Sequence, residues 1–124
     1  MASVLEVMTK EPLSVPPSTT VAEAATVMGE RRIGSALVME DDALLGIFTE
    51  RDIVRALAKD FAAAERPVSE WMTRDPVTVP PDTPAKEALK QMLDGGFRHL
   101  PVTEGDSVVG IVSIRDLSAA GIAE

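Results

Sequence analysis

The fold is decided by a stretch that occurs twice in this chain, Gly-Ile-Phe-Thr-Glu-Arg-Asp at residues 46–52 and Gly-Ile-Val-Ser-Ile-Arg-Asp at residues 110–116. The same offset, 64 positions, aligns residues 4–57 with residues 68–121 without a gap. Because a repeat of this kind is usually one supersecondary unit that needs a neighbour to cover its apolar face, we predict a tandem pair. Other identical pairs at this offset are Met8 with Met72, Pro12 with Pro76, Val15 with Val79, Glu23 with Glu87 and Met28 with Met92.

Each copy begins with a short predicted strand and an amphipathic helix. The strands, residues 13–15 and 77–79, end at a double proline, which cannot donate backbone hydrogen bonds. Thr20 and Thr83 are the predicted caps of the helices that follow. In these helices apolar residues recur at i, i+3, i+4 and i+7, the spacing of one helix face. They are Val21, Ala24, Ala25 and Met28 in the first copy and Ala85, Ala88, Leu89 and Met92 in the second.

A hairpin and a second helix complete each copy. The hairpin consists of two short apolar runs separated by an acidic turn. These runs are residues 36–39 and 44–48 in the first copy and residues 100–103 and 108–112 in the second. The closing helices are predicted at residues 51–58 and 115–120, and a further helical turn is expected at residues 61–64. The order of elements is therefore β-α-β-β-α, twice.

Composition excludes several classes of function. The formal charge is −8, so the surface repels a nucleic acid backbone, whose binding needs clustered Lys and Arg. The chain has no cysteine, which excludes disulfides, thiolate metal sites and thiol catalysis. No apolar run approaches the roughly 20 residues of a membrane span, and the first residues lack a signal-peptide pattern. We therefore expect a cytoplasmic protein that binds neither nucleic acid nor membrane.

The duplicated order and its motifs resemble the cystathionine-β-synthase (CBS) domain pair, also called a Bateman module. The resemblance covers essentially the whole chain and implies an α/β (α+β) fold of two β-α-β-β-α repeats related by pseudo-two-fold symmetry. It places one CBS domain at residues 1–59, a linker at 60–67 and a second CBS domain at 68–124. The residues that carry it are Met8-Thr9 with Pro12, Met72-Thr73 with Pro76, Arg98-His99-Leu100-Pro101-Val102, and the two stretches at 46–52 and 110–116.

A hydroxyl and an acid three residues apart occur at the same place in both copies, Thr49 with Asp52 and Ser113 with Asp116. This spacing is typical of a helix capping box, which needs no ligand. A strand-to-helix junction also presents free backbone N–H groups that suit phosphate. The family resemblance implies that these four residues bind the phosphate and ribose of adenosyl ligands. Capping and binding are compatible roles.

The second copy carries a basic pair, Arg98-His99, at the start of a predicted strand. The pair is explained either as polar residues at a strand end or, by the family resemblance, as the charge that neutralises a ligand phosphate. Arg98 is the preferred anion contact because a guanidinium stays charged and binds two phosphate oxygens at once. His99 is the only histidine of the chain, so neither a metal site nor catalytic residues are predicted.

The first copy lacks the basic pair, because its matching residues are Gly34 and Ser35. Ile33 and Gly34 are expected to admit a flat base close to the backbone, as the corresponding strand does for adenine in the family. The two sites are therefore unequal, and the sequence leaves open which one is occupied. Family geometry implies that each aspartate acts with the strand of the other copy. The expected sets are Asp52 with Phe97 and Arg98, and Asp116 with Ile33 and Gly34.

The resemblance leads us to predict a regulatory protein rather than an enzyme. It is expected to bind AMP, ADP, ATP or a related adenosyl nucleotide in the cleft between the repeats and to alter a partner or its own assembly. No cofactor is required, and the regulated protein is not identified by the sequence. The alternative is a ligand-independent interaction module, in which the hydroxyl–acid motifs only cap helices. In either case a homodimer formed through the helices is expected from the family.

Overall fold

The computed structural model of the chain describes residues 2–122, and its main helices and hairpins follow the order that the repeat predicts. No helix among these residues is long and apolar enough to cross a bilayer. The helices are α1 (Val4–Val7), α2 (Val21–Arg31), α3 (Glu50–Lys59), α4 (Ala85–Gly95) and α5 (Ile114–Ala119), with 3₁₀ helices at Phe61–Glu65 and Val68–Glu70. The strands are β1 (Ser14–Val15), β2 (Ser35–Glu40), β3 (Ala43–Thr49), β4 (Thr73–Arg74), β5 (His99–Glu104) and β6 (Ser107–Ser113).

The chain divides into two compact units, of which the first unit is Leu13–Pro76. Its sheet has the order β1-β2-β3-β4, with β1 parallel to β2 and the other neighbours antiparallel. The predicted turn at residues 61–64 is the 3₁₀ helix Phe61–Glu65, whose Ala63 is buried in the core of this unit. The core consists of Val15, Val21, Ala24, Met28, Ala36, Val38, Phe48, Ala56, Ala63, Val68 and Met72.

The second unit combines the described residues up to Pro12 with those from Val77 onward. Strands β5 and β6 form its antiparallel hairpin. Single bridges extend both edges of the hairpin, Val79 with Val102 in parallel and Thr9 with Ile111 in antiparallel pairing. The two units thus share one pairing scheme, shifted by the repeat offset. The corresponding pairs of the first unit are Val15 with Val38 and Ile47 with Thr73.

The stretch that precedes the first strand of each copy, residues 4–12 in the first and 68–76 in the second, is called its leading segment. Each unit takes its leading segment from the other copy of the repeat. Helix α1, from the first copy, docks in the second unit, where the Val4 amide donates to the Thr83 carbonyl at 2.8 Å. The 3₁₀ helix Val68–Glu70, from the second copy, makes the same bond in the first unit, where the Val68 amide donates to the Thr19 carbonyl at 2.7 Å. Both valines are fully buried. The compact units therefore differ from the sequence repeats in these segments.

The predicted helices and hairpins are confirmed in both copies. The expected apolar face of α2 buries Val21, Ala24 and Met28 against the sheet side of the first unit's core. The same face of α4 is buried in the second unit, through the residues at the corresponding positions. Helical periodicity and turn residues were sufficient to locate these elements, because both are read from short stretches of sequence.

Two local predictions in the second copy were wrong, and proline explains both. Thr83 does not cap α4, because Pro84 occupies the cap position that Thr20 occupies in α2. Residues 77–79 form only the Val79 bridge rather than a strand. In the first unit the Leu37 amide donates to the Leu13 carbonyl at 2.9 Å, whereas the matching residue Pro101 has no N–H to donate to residue 77.

The cap of α2 predicts a pH dependence of stability. The Thr20 amide donates to Glu23 Oε1 at 2.9 Å, and the Glu23 amide donates to Thr20 Oγ1 at 3.1 Å. The bonds from Thr20, first its backbone and then its side chain, lower the pKa of Glu23. A carboxylate whose pKa is lowered on folding stabilises the protein above its unfolded pKa, and this contribution is lost as the pH falls through the folded pKa.

We therefore expect Glu23→Ala to lower the free energy of unfolding at neutral pH, with the difference from the unsubstituted chain closing on acidification. Urea denaturation of both proteins at a series of pH values from neutral to acidic measures this difference in the free energy of unfolding. Glu30→Ala is the matched control, because Glu30 is an exposed acid near the other end of the same helix, where a negative charge is unfavourable. A Glu23→Ala difference that stays constant into acid would contradict the electrostatic explanation.

Candidate functional site

The hydroxyl–acid motif of the second unit lies where β6 passes into α5. The Ser113 amide donates to Asp116 Oδ2 at 2.9 Å, and the Asp116 amide donates to Ser113 Oγ at 3.0 Å, which completes a reciprocal capping box. The other carboxylate oxygen, Oδ1, accepts a long hydrogen bond of 3.4 Å from the Thr9 hydroxyl. Ser113 and Asp116 are both half-buried. The capping interpretation is confirmed here, and it holds the carboxylate in one orientation.

The motif of the first unit lies at the corresponding junction of β3 and α3. The Thr49 amide donates to Asp52 Oδ2 at 2.9 Å, and the Thr49 hydroxyl donates to the same oxygen at 3.3 Å. Arg55 Nη1 donates to Asp52 Oδ1 at 3.0 Å. Asp52 is only 4% exposed, and these bonds satisfy both of its oxygens.

Glycine allows the strands before the two junctions to approach the leading segments closely. A Cβ added at Gly46 would lie 2.6 Å from the Thr73 carbonyl oxygen, and one added at Gly110 would lie 2.8 Å from the Thr9 carbonyl oxygen. Real side chains do not fit at these distances, so each position requires glycine. The close approach fixes each strand three residues before its hydroxyl–acid motif.

The start of the hairpin lies beside the same junction in each unit. His99 is paired with Ser113 in the β5–β6 register, and the Ile114 amide donates to the Arg98 carbonyl at 3.0 Å. Arg98 is exposed, whereas Phe97 and His99 are half-buried. The structure thus brings the basic pair next to the Ser113 motif within one unit.

The first unit has the same arrangement without the basic residues. Ser35 is paired with Thr49, and the Glu50 amide donates to the Gly34 carbonyl at 3.2 Å. Ile33 and Gly34 are half-buried. The expectation that each aspartate acts with the hairpin strand of the other copy stays a prediction.

Two contacts of the motif aspartates, and one contact of the arginine that binds Asp52, were missed by sequence reasoning. Thr9 reaches Asp116, and Arg55 reaches Asp52 while its guanidinium carbon lies 5.9 Å from the centroid of the Trp71 ring. Arg55 had a detectable signal, because residues three apart on a helix are neighbours. Thr9 and Trp71 lie in the leading segments, and the exchange of those segments brings Thr9 to Asp116 and Trp71 to Arg55.

A family model for the CBS domain matches the chain twice, at residues 4–59 and 68–122. "CBS domain-containing protein YhcV" of Bacillus subtilis is 33% identical over 118 residues, which are 95% of this chain and 84% of that protein. "CBS domain-containing protein CBSCBSPB5" of Arabidopsis thaliana is 47% identical over 104 residues, 82% of this chain but 19% of the plant protein. The chain therefore spans about a fifth of the length of such plant relatives.

Solved structures with the same fold include complexes with adenosine compounds. The CBS-domain containing protein ATU1752 from Agrobacterium tumefaciens has a TM-score of 0.93 and 33% identity, over 98% of this chain and all of the other. The CBS domain pair of MJ0100, in complex with 5′-methylthioadenosine and S-adenosyl-L-methionine, has a TM-score of 0.90 and 27% identity, over 98% and 96%. CBSX2 in complex with AMP has a TM-score of 0.84 and 25% identity, over 98% and 97%.

Proposed function

Because the chain belongs to the CBS domain family, we propose that it is a regulatory module that binds an adenosyl nucleotide such as AMP, ADP or ATP. The observation that carries the proposal is the repeated hydroxyl–acid motif, which is held in a fixed orientation where a strand passes into a helix within each unit. Solved relatives hold AMP, methylthioadenosine and S-adenosylmethionine, and adenosine is the chemistry that these ligands share. Recognition of the adenosyl group is therefore the property we assign to this chain.

The roles of the second-unit residues follow from their chemistry. A carboxylate has lone pairs on two oxygens and accepts from neighbouring ribose hydroxyls, which is the role we give to Asp116. The Ser113 hydroxyl contacts phosphate. Arg98 is exposed beside Ser113 and supplies the positive charge that a phosphate needs in a chain of net charge −8. Phe97 and His99, both half-buried, are the other ligand-binding residues that we propose in this unit.

The first unit offers Thr49 and Asp52 for the same roles, with Ile33 and Gly34 at the strand that is expected to face the base. Binding shifts the population of conformations and so changes a partner protein or the assembly of the chain itself. The module is regulatory and not catalytic in this proposal, since its hydroxyls and carboxylates are engaged in helix capping and in contacts suited to binding. We place it in the cytoplasm as a homodimer that requires no cofactor.

Isothermal titration calorimetry of ligand-free protein with AMP, ADP, ATP and S-adenosylmethionine tests the proposal. At least one of these ligands is expected to bind saturably. The side chain in Asp116→Asn retains an oxygen that can accept the hydrogen bond from the Ser113 amide, so the substitution preserves the helix cap while removing the charge. We expect this substitution to weaken binding by at least tenfold, or about 1.4 kcal/mol.

Asp106→Asn is the matched control, because it removes the same charge from the exposed turn of the hairpin in the same unit. It should leave binding unchanged. Absence of binding heat with all four ligands at millimolar concentration would refute the adenosyl proposal. Equal affinity of the Asp116→Asn variant and the unsubstituted chain would refute the assigned role of Asp116.

Ligand-independent self-association is the second candidate function, and exposed apolar side chains favour it. Val54 is 67% exposed on α3, Phe61 is 82% exposed just beyond it, and Leu93 is 66% exposed on α4. Each unit thus exposes a large apolar side chain on or just beyond a helix, and a second copy of this chain is the partner we consider for these side chains. Sedimentation velocity with and without adenosyl nucleotides separates the two candidate functions. If self-association is the function, a dimer forms and its sedimentation is unchanged by the nucleotides, which do not bind.

A further inference from the structure

The two motif aspartates differ in the residue that donates a hydrogen bond to their carboxylate oxygen Oδ1. In the first unit, Oδ1 of Asp52 accepts from the charged Arg55 guanidinium at 3.0 Å. In the second unit, Oδ1 of Asp116 accepts from the neutral Thr9 hydroxyl at 3.4 Å. Both bonds end on a carboxylate, but the bond at Asp52 is 0.4 Å shorter and its donor carries the opposite charge, so it is the stronger of the two. A ribose hydroxyl therefore displaces a stronger partner at Asp52 than at Asp116.

Arg55 is held by a second contact besides Asp52. Its guanidinium carbon lies 5.9 Å from the centroid of the Trp71 ring, within the range of a cation–π interaction. Trp71 packs against the core of the first unit, and its buried Nε1 makes no hydrogen bond within residues 2–122. The indole is thus anchored by packing and offers its face to the cation. Asp52, Arg55 and Trp71 form a continuous row of contacts.

The second unit cannot form this row, because its residues at the corresponding positions are different. Ala119 takes the place of Arg55, and Val7 takes the place of Trp71. Neither side chain can donate a hydrogen bond or take part in a cation–π contact. The row is therefore a property of one copy of the repeat and not of the repeated motif.

We propose that Arg55 partly closes the Asp52 site to ribose, so that the chain binds its first adenosyl nucleotide at Asp116. This inference rests on the proposed function and assigns the occupied site within it. The Arg55 side chain is 57% exposed, so solvent weakens its ion pair and the closure is a difference in affinity rather than a complete block. Because the bond displaced at Asp52 is the stronger one, we expect the affinity there to be about tenfold weaker than at Asp116.

Equilibrium dialysis with AMP as the probe tests the closure at a free AMP concentration between the dissociation constants of the two sites, where the Asp116 site is largely filled and the Asp52 site largely empty. At that concentration the unsubstituted chain is expected to bind about one AMP, and Asp52→Asn should keep that stoichiometry. Arg55→Ala, which installs the residue found at position 119, should strengthen the second site by about tenfold and raise the stoichiometry toward two. Arg55→Met does the same while keeping the aliphatic part of the side chain, which guards against a loss of packing.

Two further variants complete the design. Lys59→Ala removes the same charge at the end of the same helix and should leave the stoichiometry at one. Ala119→Arg places a guanidinium three residues after Asp116, and we expect it to weaken AMP binding by about tenfold. Thermal unfolding of each variant confirms that it is folded.

The outcomes separate this inference from the proposed function. Two equal sites in the unsubstituted chain, or loss of AMP binding in Asp52→Asn, would overturn the closure and leave nucleotide binding intact. An unchanged stoichiometry in both folded Arg55 variants would overturn it as well. Failure of the unsubstituted chain to bind any adenosyl ligand would overturn both.

Discussion

Gly46→Ala and Gly110→Ala are each expected to lower the free energy of unfolding by about 3 kcal/mol, the upper end of the cost of overpacking. The added methyl group would meet a backbone carbonyl oxygen, of Thr73 at 2.6 Å or of Thr9 at 2.8 Å. A flexible side chain can rotate away from such a contact, but a backbone oxygen moves only if the leading segment moves. The substitution therefore separates β3 or β6 from the segment that the other copy supplies.

Gly29→Ala is the control for these variants. Gly29 lies within α2, and a Cβ there would meet no atom within 4 Å. Alanine is the better helix former, so stability should rise by about 0.5–1 kcal/mol. Urea denaturation of the three variants measures the change in the free energy of unfolding, which should be negative for Gly46→Ala and Gly110→Ala and positive for Gly29→Ala. If all three variants were equally stable, the close docking of the leading segments would be contradicted.

Phe48→Ala is expected to cost about 3–5 kcal/mol, the range for removing a buried phenylalanine. Phe48 is fully buried in the core of the first unit, one residue before the Thr49 motif. The loss combines transfer of the ring to water with the cavity left behind. Truncation at this position also removes the packing that supports the junction of β3 and α3.

Phe61→Ala is the matched control, because it removes the same side chain from a site that is 82% exposed. It should change the free energy of unfolding of the monomer by no more than about 0.5 kcal/mol. Denaturation at several protein concentrations distinguishes a monomer effect from a dimer effect. Similar losses in the two variants would contradict the assignment of Phe48 to the core.

Sequence alone was sufficient for the repeat, for the longer helices and for both hairpins. Periodicity places α2 and α4, and acidic turns place both hairpins, because these signals depend on neighbouring residues. The absence of a strand at residues 77–79 has a cause in the sequence, since Pro101 has no amide for the bond that Leu37 makes in the first unit. Recognising this cause requires knowing that residues 77 and 101 face each other, which the structure shows.

The exchange of leading segments was beyond the sequence. Because the two copies have similar sequences, each leading segment has an equivalent surface to pack against in its own copy and in the other. No local sequence signal distinguishes these two surfaces. The contacts of the aspartates depend on that exchange, because Thr9 reaches Asp116 from the first copy and Trp71 lies against Arg55 from the second. The motifs were predictable, whereas the difference between them required the structure.

A crystal structure of the chain grown with AMP tests the central claim most directly. We expect the ribose hydroxyls within hydrogen-bonding distance of the Asp116 carboxylate and the phosphate beside Ser113, while Arg55 remains on Asp52. Density for AMP only at a surface remote from both hydroxyl–acid motifs would contradict the assignment of these motifs as the adenosyl site. The absence of bound ligand from crystals grown with AMP, ADP, ATP or S-adenosylmethionine, each at millimolar concentration, would contradict the assignment of this chain as an adenosyl-binding regulatory module.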